Sequence, residues 1–381
     1  MTRLDIACVV GARPNFMKMA PILRALAEVP EIRTTLIHTG QHYDEALSEV
    51  FFRQLGMPKP DIDLGVGSGT QATQTARVLE RFETVLLEGP AGGGKYGRVI
   101  VVGDVNSTLA ATLAAVKLNI PVAHVEAGLR SFDRTMPEEI NRLMTDAVSD
   151  LLLVSEPSGV DNLLREGHPP ESVHLVGNVM IDTLRDALPR LDSEAVLQQC
   201  GVEAGRYGVV TLHRPANVDS PETLRQILEV LAEVSERLPL LFPVHPRTLG
   251  RIEAFGLSEL LERHPQLRRL APQGYLEFLA LTSNARVIVT DSGGLQEEST
   301  ALGIPCLTMR PNTERPITVE EGTSTLIGSD AHSLRQRFQE VLDGTYAPGR
   351  CPELWDGNSA NRIAQVLCRT HGLVEPPVAA K

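Results

Sequence analysis

The chain has 381 residues, 42% of them hydrophobic, 22% charged and only 4% aromatic, with a formal net charge of -12. That length exceeds what one core usually organises, so two domains built mainly from aliphatic side chains are expected. The negative field argues against a nucleic-acid partner or an anionic membrane surface, but local cations can still hold a small anion. Five cysteines, widely spread and never closely paired, predict neither a disulfide framework nor a zinc site. The N-terminus lacks an apolar leader run and no stretch approaches membrane-spanning length, so a cytoplasmic protein is expected.

In chain order, short apolar runs alternate with longer amphipathic segments. A strand over Leu4–Val10 leads to a helix over 16–28, a strand over 34–38 and a helix over 44–55, which is the βαβ rhythm of a parallel sheet. Further strands are expected at 99–102, Val122–Val125, Leu151–Val154 and 174–177, each followed by polar punctuation. Beyond residue 180 the rhythm resumes, at Gly208–Thr211, 240–244, Val287–Thr290 and Cys306–Thr308. One sheet does not comfortably hold so many strands, so two doubly wound domains are predicted. The boundary falls between residues 175 and 201: residues 1–180 form the first domain, 181–358 the second, and 374–381 a disordered tail. The run Gly92, Gly93, Gly94, Lys95 has no strand before it and no Ser or Thr after it, so it reads as a surface turn and not a phosphate loop.

Ligands of open parallel sheets bind beyond the carboxyl ends of the strands, so the residues just after each strand matter most. After the first strand come Gly11, Arg13, Pro14 and Lys18, which bring positive charge to the start of a helix. Asp104 follows the strand ending at 102, where its plain alternative is to cap the next helix. Glu126 follows Val122–Val125 directly, ahead of Gly128. Glu138 and Glu139 stand in the first turn of a helix behind Pro137, where acidic residues also simply complement the helix dipole. The second half supplies cations instead: His213 and Arg214, His245 and Arg247, Arg310 and Arg315, all after strands. Its sharpest feature is Asp291-Ser292-Gly293-Gly294, a strand end opening a helix, where two glycines let backbone N–H groups approach a diphosphate. Glu298, one turn on, offers two acceptor oxygens to a ribose diol. Carboxylates in one half and an anion site in the other suit acid–base chemistry on a nucleotide-linked group.

The runs Gly11-Ala12-Arg13-Pro14, Gly103-Asp104, His124-Val125-Glu126-Ala127-Gly128-Leu129-Arg130, Pro137-Glu138-Glu139-Ile140-Asn141-Arg142, Asp291-Ser292-Gly293-Gly294-Leu295-Gln296-Glu297-Glu298 and Thr313-Glu314-Arg315-Pro316 together resemble the non-hydrolysing UDP-N-acetylglucosamine 2-epimerases. Six motifs in one order, spanning the first strand to about residue 328, are specific as a set. The resemblance implies an α/β fold of glycosyltransferase-B type, with two Rossmann-like domains, an active site in the inter-domain cleft and a C-terminal helix, 359–373, returning to the first domain. It implies neither metal nor nicotinamide cofactor, a UDP-sugar as substrate, a homodimer, and a place in polysaccharide biosynthesis. By similarity, Asp104, Glu126, Glu138 and His213 are the catalytic groups, and Arg13, Lys18, Gln273, Phe278, Ser292, Gly293, Gly294, Glu298 and Arg315 bind the substrate. The implied chemistry expels UDP as C2 loses its proton, gives 2-acetamidoglucal, and re-adds UDP with reprotonation from the other face.

Two departures stand out. Asn15 replaces a glutamate common after Arg-Pro in the family, and Pro215-Ala216 follow His213-Arg214 where many bacterial members carry Arg-Glu, a stretch some use to bind a regulatory second UDP-sugar. The Ser131-Phe132-Asp133 loop also resembles relatives acting on a UDP-linked 2,3-diacetamido glucuronic acid. That substrate, a hydrolysing 2-epimerase, a UDP-sugar glycosyltransferase and a non-catalytic UDP-sugar sensor are the competing expectations.

Overall fold

The computed structural model describes residues 3–41, 54–347, 349–374 and 376. The chain divides into two compact units, Met1–Arg185 together with Glu353–Lys381, and Asp186–Pro352. The helix expected over 44–55 and the tail expected over 374–381 lie largely outside the described residues.

The first unit carries a seven-stranded sheet of β1 (Leu4–Val10), β2 (Ile32–His38), β3 (Ile62–Asp63), β4 (Arg98–Val102), β5 (Val122–Val125), β6 (Leu151–Val154) and β7 (Val173–Leu175), in the order β3-β2-β1-β4-β5-β6-β7. Every pairing is parallel, with Leu4 opposite Ile32 and Val99 opposite Val122. The central strands are apolar runs with no alternation, as strands covered by helices on both faces must be; all five residues of β4 and all four of β6 are buried. Val78, Phe82, Val85 and Leu86 of the helix Gln71–Glu88 share a core with Ala110, Ala111, Ala114 and Ala115 of the helix Asn106–Lys117, whose small side chains let the two come close. The helix Ser359–Thr370 belongs to this unit and packs against the helix Arg13–Ala27. Its first turn is fastened by Asp182, whose carboxylate accepts from the N–H groups of Ser359 (3.1 Å) and Ala360 (2.7 Å).

The second unit repeats the plan with six parallel strands: β8 (Gly208–Thr211), β9 (Leu240–Pro243), β10 (Leu267–Leu270), β11 (Val287–Thr290), β12 (Cys306–Thr308) and β13 (Ser324–Leu326), in the order β10-β9-β8-β11-β12-β13. Leu224, Ile227, Leu228 and Leu231 of the helix Pro221–Ser235 join Leu240 and Phe242 in its core. In each sheet the strand order reverses beside the first strand, between β1 and β4 and between β8 and β11. Such switch points open a crevice at the strands' carboxyl ends and are where doubly wound sheets bind ligands. Among the described residues no helix is long and apolar enough to cross a membrane.

Candidate active site

At the first switch point the residues after β1, β4 and β5 converge. Lys18, on the helix that follows β1, forms an ion pair with Glu126, which follows β5. Both are buried, at 7% and 4% exposure. Glu126 holds a backbone φ of 71°, an uncommon conformation for a non-glycine residue that persists only where the surroundings fix it. Gly103, between β4 and Asp104, has φ 68°, and a β-carbon built there would stand 3.0 Å from the Lys18 Nζ and 3.5 Å from the Glu126 Oε2. Glycine therefore lets the chain pass against the ion pair and deliver Asp104 beside it.

Asp104 does not cap the next helix; Val105 takes the cap position without a side-chain bond. The Asp104 carboxylate is instead paired with Arg142, and its backbone oxygen accepts from the Asn141 side chain at 2.8 Å. Arg142 also donates to Glu139 (3.1 Å). Glu139 is buried, and its two oxygens accept from the Ser131 N–H (2.9 Å), the Ser131 hydroxyl (3.0 Å) and the Phe132 N–H (2.9 Å). One carboxylate thus pins the loop after Arg130 to the arginine that holds Asp104. Glu138, its neighbour in the same helical turn, is exposed. The two adjacent glutamates have opposite fates: Glu139 is structural cement, while Glu138 keeps its carboxylate at the surface. Asn15 bonds back to the N–H groups of Gly11 (3.2 Å) and Ala12 (3.0 Å) and donates to the Val102 carbonyl (2.9 Å), tying the turn after β1 to the end of β4. Arg13 opens its helix, and its side chain lies outside the described residues.

At the second switch point Asp291, wholly buried between β11 and the helix Gly293–Leu302, organises the residues after β8. Its carboxylate accepts from the backbone N–H groups of His213 (2.9 Å) and Arg214 (2.8 Å) and from the Asn217 side chain (3.0 Å), and it faces the His213 Nδ1 at 2.7 Å. Burial alone would raise the Asp291 pKa, but His213, Asn217 and the Arg214 N–H outweigh it and hold the carboxyl below its ordinary range. An ionised Asp291 only accepts, so Nδ1 of His213 carries a proton and the ring presents Nε2 away from Asp291. His245 stands 5.6 Å from His213, ring centroid to ring centroid, and partial burial and that neighbour press its pKa down.

Ser292 precedes the helix Gly293–Leu302 but makes no side-chain cap bond. The first N–H groups of this helix are thus served by no cap from their own N-terminal residue. A β-carbon at Gly293 would come within 3.0 Å of the Glu314 Oε1 and 3.6 Å of the Arg310 Nη1. Arg310 donates to Glu314 at 2.7 Å, and Arg315 pairs with Glu297. Glu314 is held well below the ordinary carboxylate range: burial opposes ionisation, but the Arg310 and Arg315 guanidinium groups overcome it. Glu298 lies 3.5 Å from the Tyr275 hydroxyl, which links it to the helix Tyr275–Ser283 that carries Phe278 and follows Gln273. Gln273 itself donates to the Ala271 carbonyl at 2.8 Å.

The structure therefore gathers Lys18, Asp104 and Glu126 in the first unit, with Glu138 adjoining through Glu139. In the second unit His213 is held by Asp291 beside the Ser292 turn, Glu298 sits on the helix that starts there, and Arg315 pairs with Glu297 of that helix. A family model described as UDP-N-acetylglucosamine 2-epimerase matches residues 24–368.

The chain belongs to the UDP-N-acetylglucosamine 2-epimerase family.

Its relatives agree with that placement. The UDP-N-acetylglucosamine 2-epimerase of Methanocaldococcus jannaschii is 41% identical over 96% of this chain and 99% of its own length. The UDP-2,3-diacetamido-2,3-dideoxy-D-glucuronate 2-epimerase of Pseudomonas aeruginosa is 39% identical over 96% of this chain and all of its own. The crystal structure of the Methanocaldococcus jannaschii UDP-GlcNAc 2-epimerase in complex with UDP-GlcNAc and UDP superposes with a TM-score of 0.84 at 40% identity, covering 96% of this chain and 100% of that one. Within this family frame the side chains that sequence reading left without a role are Asp291, Glu139, Arg142 and the His124–Asp146 pair. Asp291, Arg142 and the His124–Asp146 pair each work through a partner more than twenty residues away, which no local spacing announces, and Glu139 joins them through Arg142.

Proposed function

We propose that the protein interconverts UDP-N-acetylglucosamine and UDP-N-acetylmannosamine by inverting C2 of the sugar. The observation that carries the reading is the buried Lys18–Glu126 pair beside Asp104, with Glu126 at φ 71°, in a chain of this family. The C2 proton is too weakly acidic for simple removal. Breaking the C1–O bond in the same event sends that bond's electron pair to the UDP oxygen, while the C2–H electrons form the C1–C2 double bond of 2-acetamidoglucal. Return of UDP to C1, with a proton delivered to the other face of C2, completes the inversion.

Each set of groups has a part. Asp104, Glu126 and Glu138 supply acid–base groups for the two faces of the ring, since one group cannot serve both. Carboxylates also stabilise positive charge developing at C1. The departing diphosphate is held by the N–H groups at Gly293 and Gly294, the Ser292 hydroxyl and Arg315, whose fixed dipoles and charges need no rearrangement as charge develops, while His213 gives and takes a proton at Nε2 as UDP leaves and returns. Lys18 and Arg13 add cations on the carboxylate side, Glu298 takes the ribose hydroxyls, and Gln273 and Phe278 hold the uracil end. The family resemblance extends the proposal to a cytoplasmic homodimer, which light scattering checks.

Incubation of the protein with UDP-N-acetylglucosamine, followed by NMR of the products, tests the reading. A UDP-linked manno sugar is expected; free N-acetylmannosamine with UDP, or turnover of the diacetamido uronic acid nucleotide alone, would overturn it.

A further inference from the structure

Three left-handed residues ring the ends of β4 and β5: Gly103 (φ 68°), Glu126 (φ 71°) and Gly128 (φ 80°). A glutamate stays in that conformation only where its surroundings fix it from several sides. On the strand side, the Glu126 N–H donates to the Leu153 carbonyl at 3.0 Å and the Gly103 N–H to the Val125 carbonyl at 3.0 Å. Beyond Glu126, the Gly128 carbonyl accepts from the Asn162 side chain at 2.9 Å, and a β-carbon at Gly128 would lie 2.3 Å from the Gly159 carbonyl oxygen. Further fastenings come from one side-chain pair, His124 and Asp146, both wholly buried.

His124 reaches the Gly103 carbonyl with Nε2 at 2.8 Å and Asp146 with Nδ1 at 2.6 Å, and the second Asp146 oxygen accepts from the Gly128 N–H at 3.0 Å. A carbonyl only accepts, so Nε2 carries a hydrogen. Burial would raise the Asp146 pKa, but His124, Arg130 and the Gly128 N–H bring it below the ordinary range, so its carboxylate faces the ring and the Gly128 N–H as an acceptor. Arg130 stands 2.7 Å from Asp146 and 2.7 Å from Glu166, so the pair is tied outward through a guanidinium to a further carboxylate. A buried histidine bonded to a carbonyl is commonplace in a core. This one instead grips the peptide just before Asp104 and, through Asp146, the peptide two residues after Glu126.

We infer that His124 and Asp146 are a positioning pair for C2 inversion, bridging the Gly103 carbonyl and the Gly128 N–H to hold the peptides that aim Asp104 and Glu126. Neither touches the substrate; both act through backbone they clasp. The inference rests on the proposed epimerase reading. Losing either partner removes one of the bonds that hold Gly103 or Gly128 and lets the two carboxylates drift, and misplacement by about 1 Å is enough for roughly a hundredfold loss of rate.

Two measurements test it. His124→Asn and Asp146→Asn should each lower kcat at least about thirtyfold, while KM for UDP-N-acetylglucosamine and the affinity for UDP stay within about threefold; a folded variant that keeps its kcat overturns the inference. Should both variants fail to fold, NMR of the nitrogen-15-labelled wild-type protein decides: a His124 ring N–H and the Gly128 amide, held by Asp146, should both exchange slowly with solvent, and fast exchange at either overturns the clasp. A wild-type protein that binds UDP without epimerising the sugar would sink the functional reading instead, and the exchange measurement would still judge the clasp by itself.

Discussion

Replacing Asp291 by asparagine changes the second unit's site by a single isosteric swap with a calculable consequence. The carboxylate serves the His213 and Arg214 N–H groups and the Asn217 side chain mainly through Oδ2, and His213 Nδ1 through Oδ1. An amide has one accepting oxygen. Placing that oxygen toward the three fixed donors is the lower-cost choice, and it turns the amide NH2 toward Nδ1. His213 must then accept at Nδ1 and carry its hydrogen on Nε2, the reverse of the wild-type arrangement, so Nε2 can no longer take a proton. A misassigned tautomer at a working histidine costs about 10²–10⁴-fold in rate. Exchanging charge-assisted bonds for neutral ones should also lower stability by about 2–3 kcal/mol at neutral pH. Because folding depresses the Asp291 pKa, its contribution is present above the ordinary carboxylate value and is lost as pH falls through the folded one. The gap in thermal stability between wild type and Asp291→Asn should therefore narrow below about pH 4. Steady-state kinetics and pH-dependent melting check both parts. A variant with kcat within threefold of wild type, or a stability gap that widens in acid, would refute the reasoning.

Other consequences follow from the two switch points. Glu126→Gln leaves the buried Lys18 without its paired charge and should cost about 3–5 kcal/mol as well as turnover; adding Lys18→Met should restore most of the stability and none of the activity, and calorimetric melting that finds a loss under 1 kcal/mol would contradict the pairing. Gly293→Ala would push a β-carbon to 3.0 Å from the Glu314 carboxylate and disturb the helix start. The expected result is about tenfold weaker UDP binding, or roughly 1.4 kcal/mol, by titration calorimetry, and unchanged affinity would remove the helix start from the diphosphate site.

Much of this was readable along the chain because the informative signals are local. Central strands such as 122–125 and 287–290 are buried on both faces and stand out as continuous apolar runs. The Gly-Gly helix start after β11 is likewise a sequence-local device. The edge strands β3, β10 and β13 were not anticipated: β3 has only two residues, and Arg268 and Arg269 interrupt β10, since an edge strand has less apolar surface to bury. The capping alternative for Asp104 gave way to its pair with Arg142, 38 positions on in the sequence, with Val105 at the cap position. The same holds for Asp291 with His213, 78 positions apart. Residue types mark where chemistry gathers, but which carboxylate is left for substrate and which is spent on the scaffold is decided by partners that only the fold brings together. Glu138 and Glu139 make the point, being identical in type and adjacent, yet one exposed and one wholly engaged.

The central claim is that C2 of the sugar exchanges its proton with groups on this protein while UDP is detached. Running the reaction in deuterated water and following UDP-N-acetylglucosamine by NMR tests it directly. The account predicts deuterium at C2 of both nucleotide sugars with wild type, and little or none with Asp104→Asn or Glu126→Gln. Epimerised product that retains its original C2 hydrogen would contradict it.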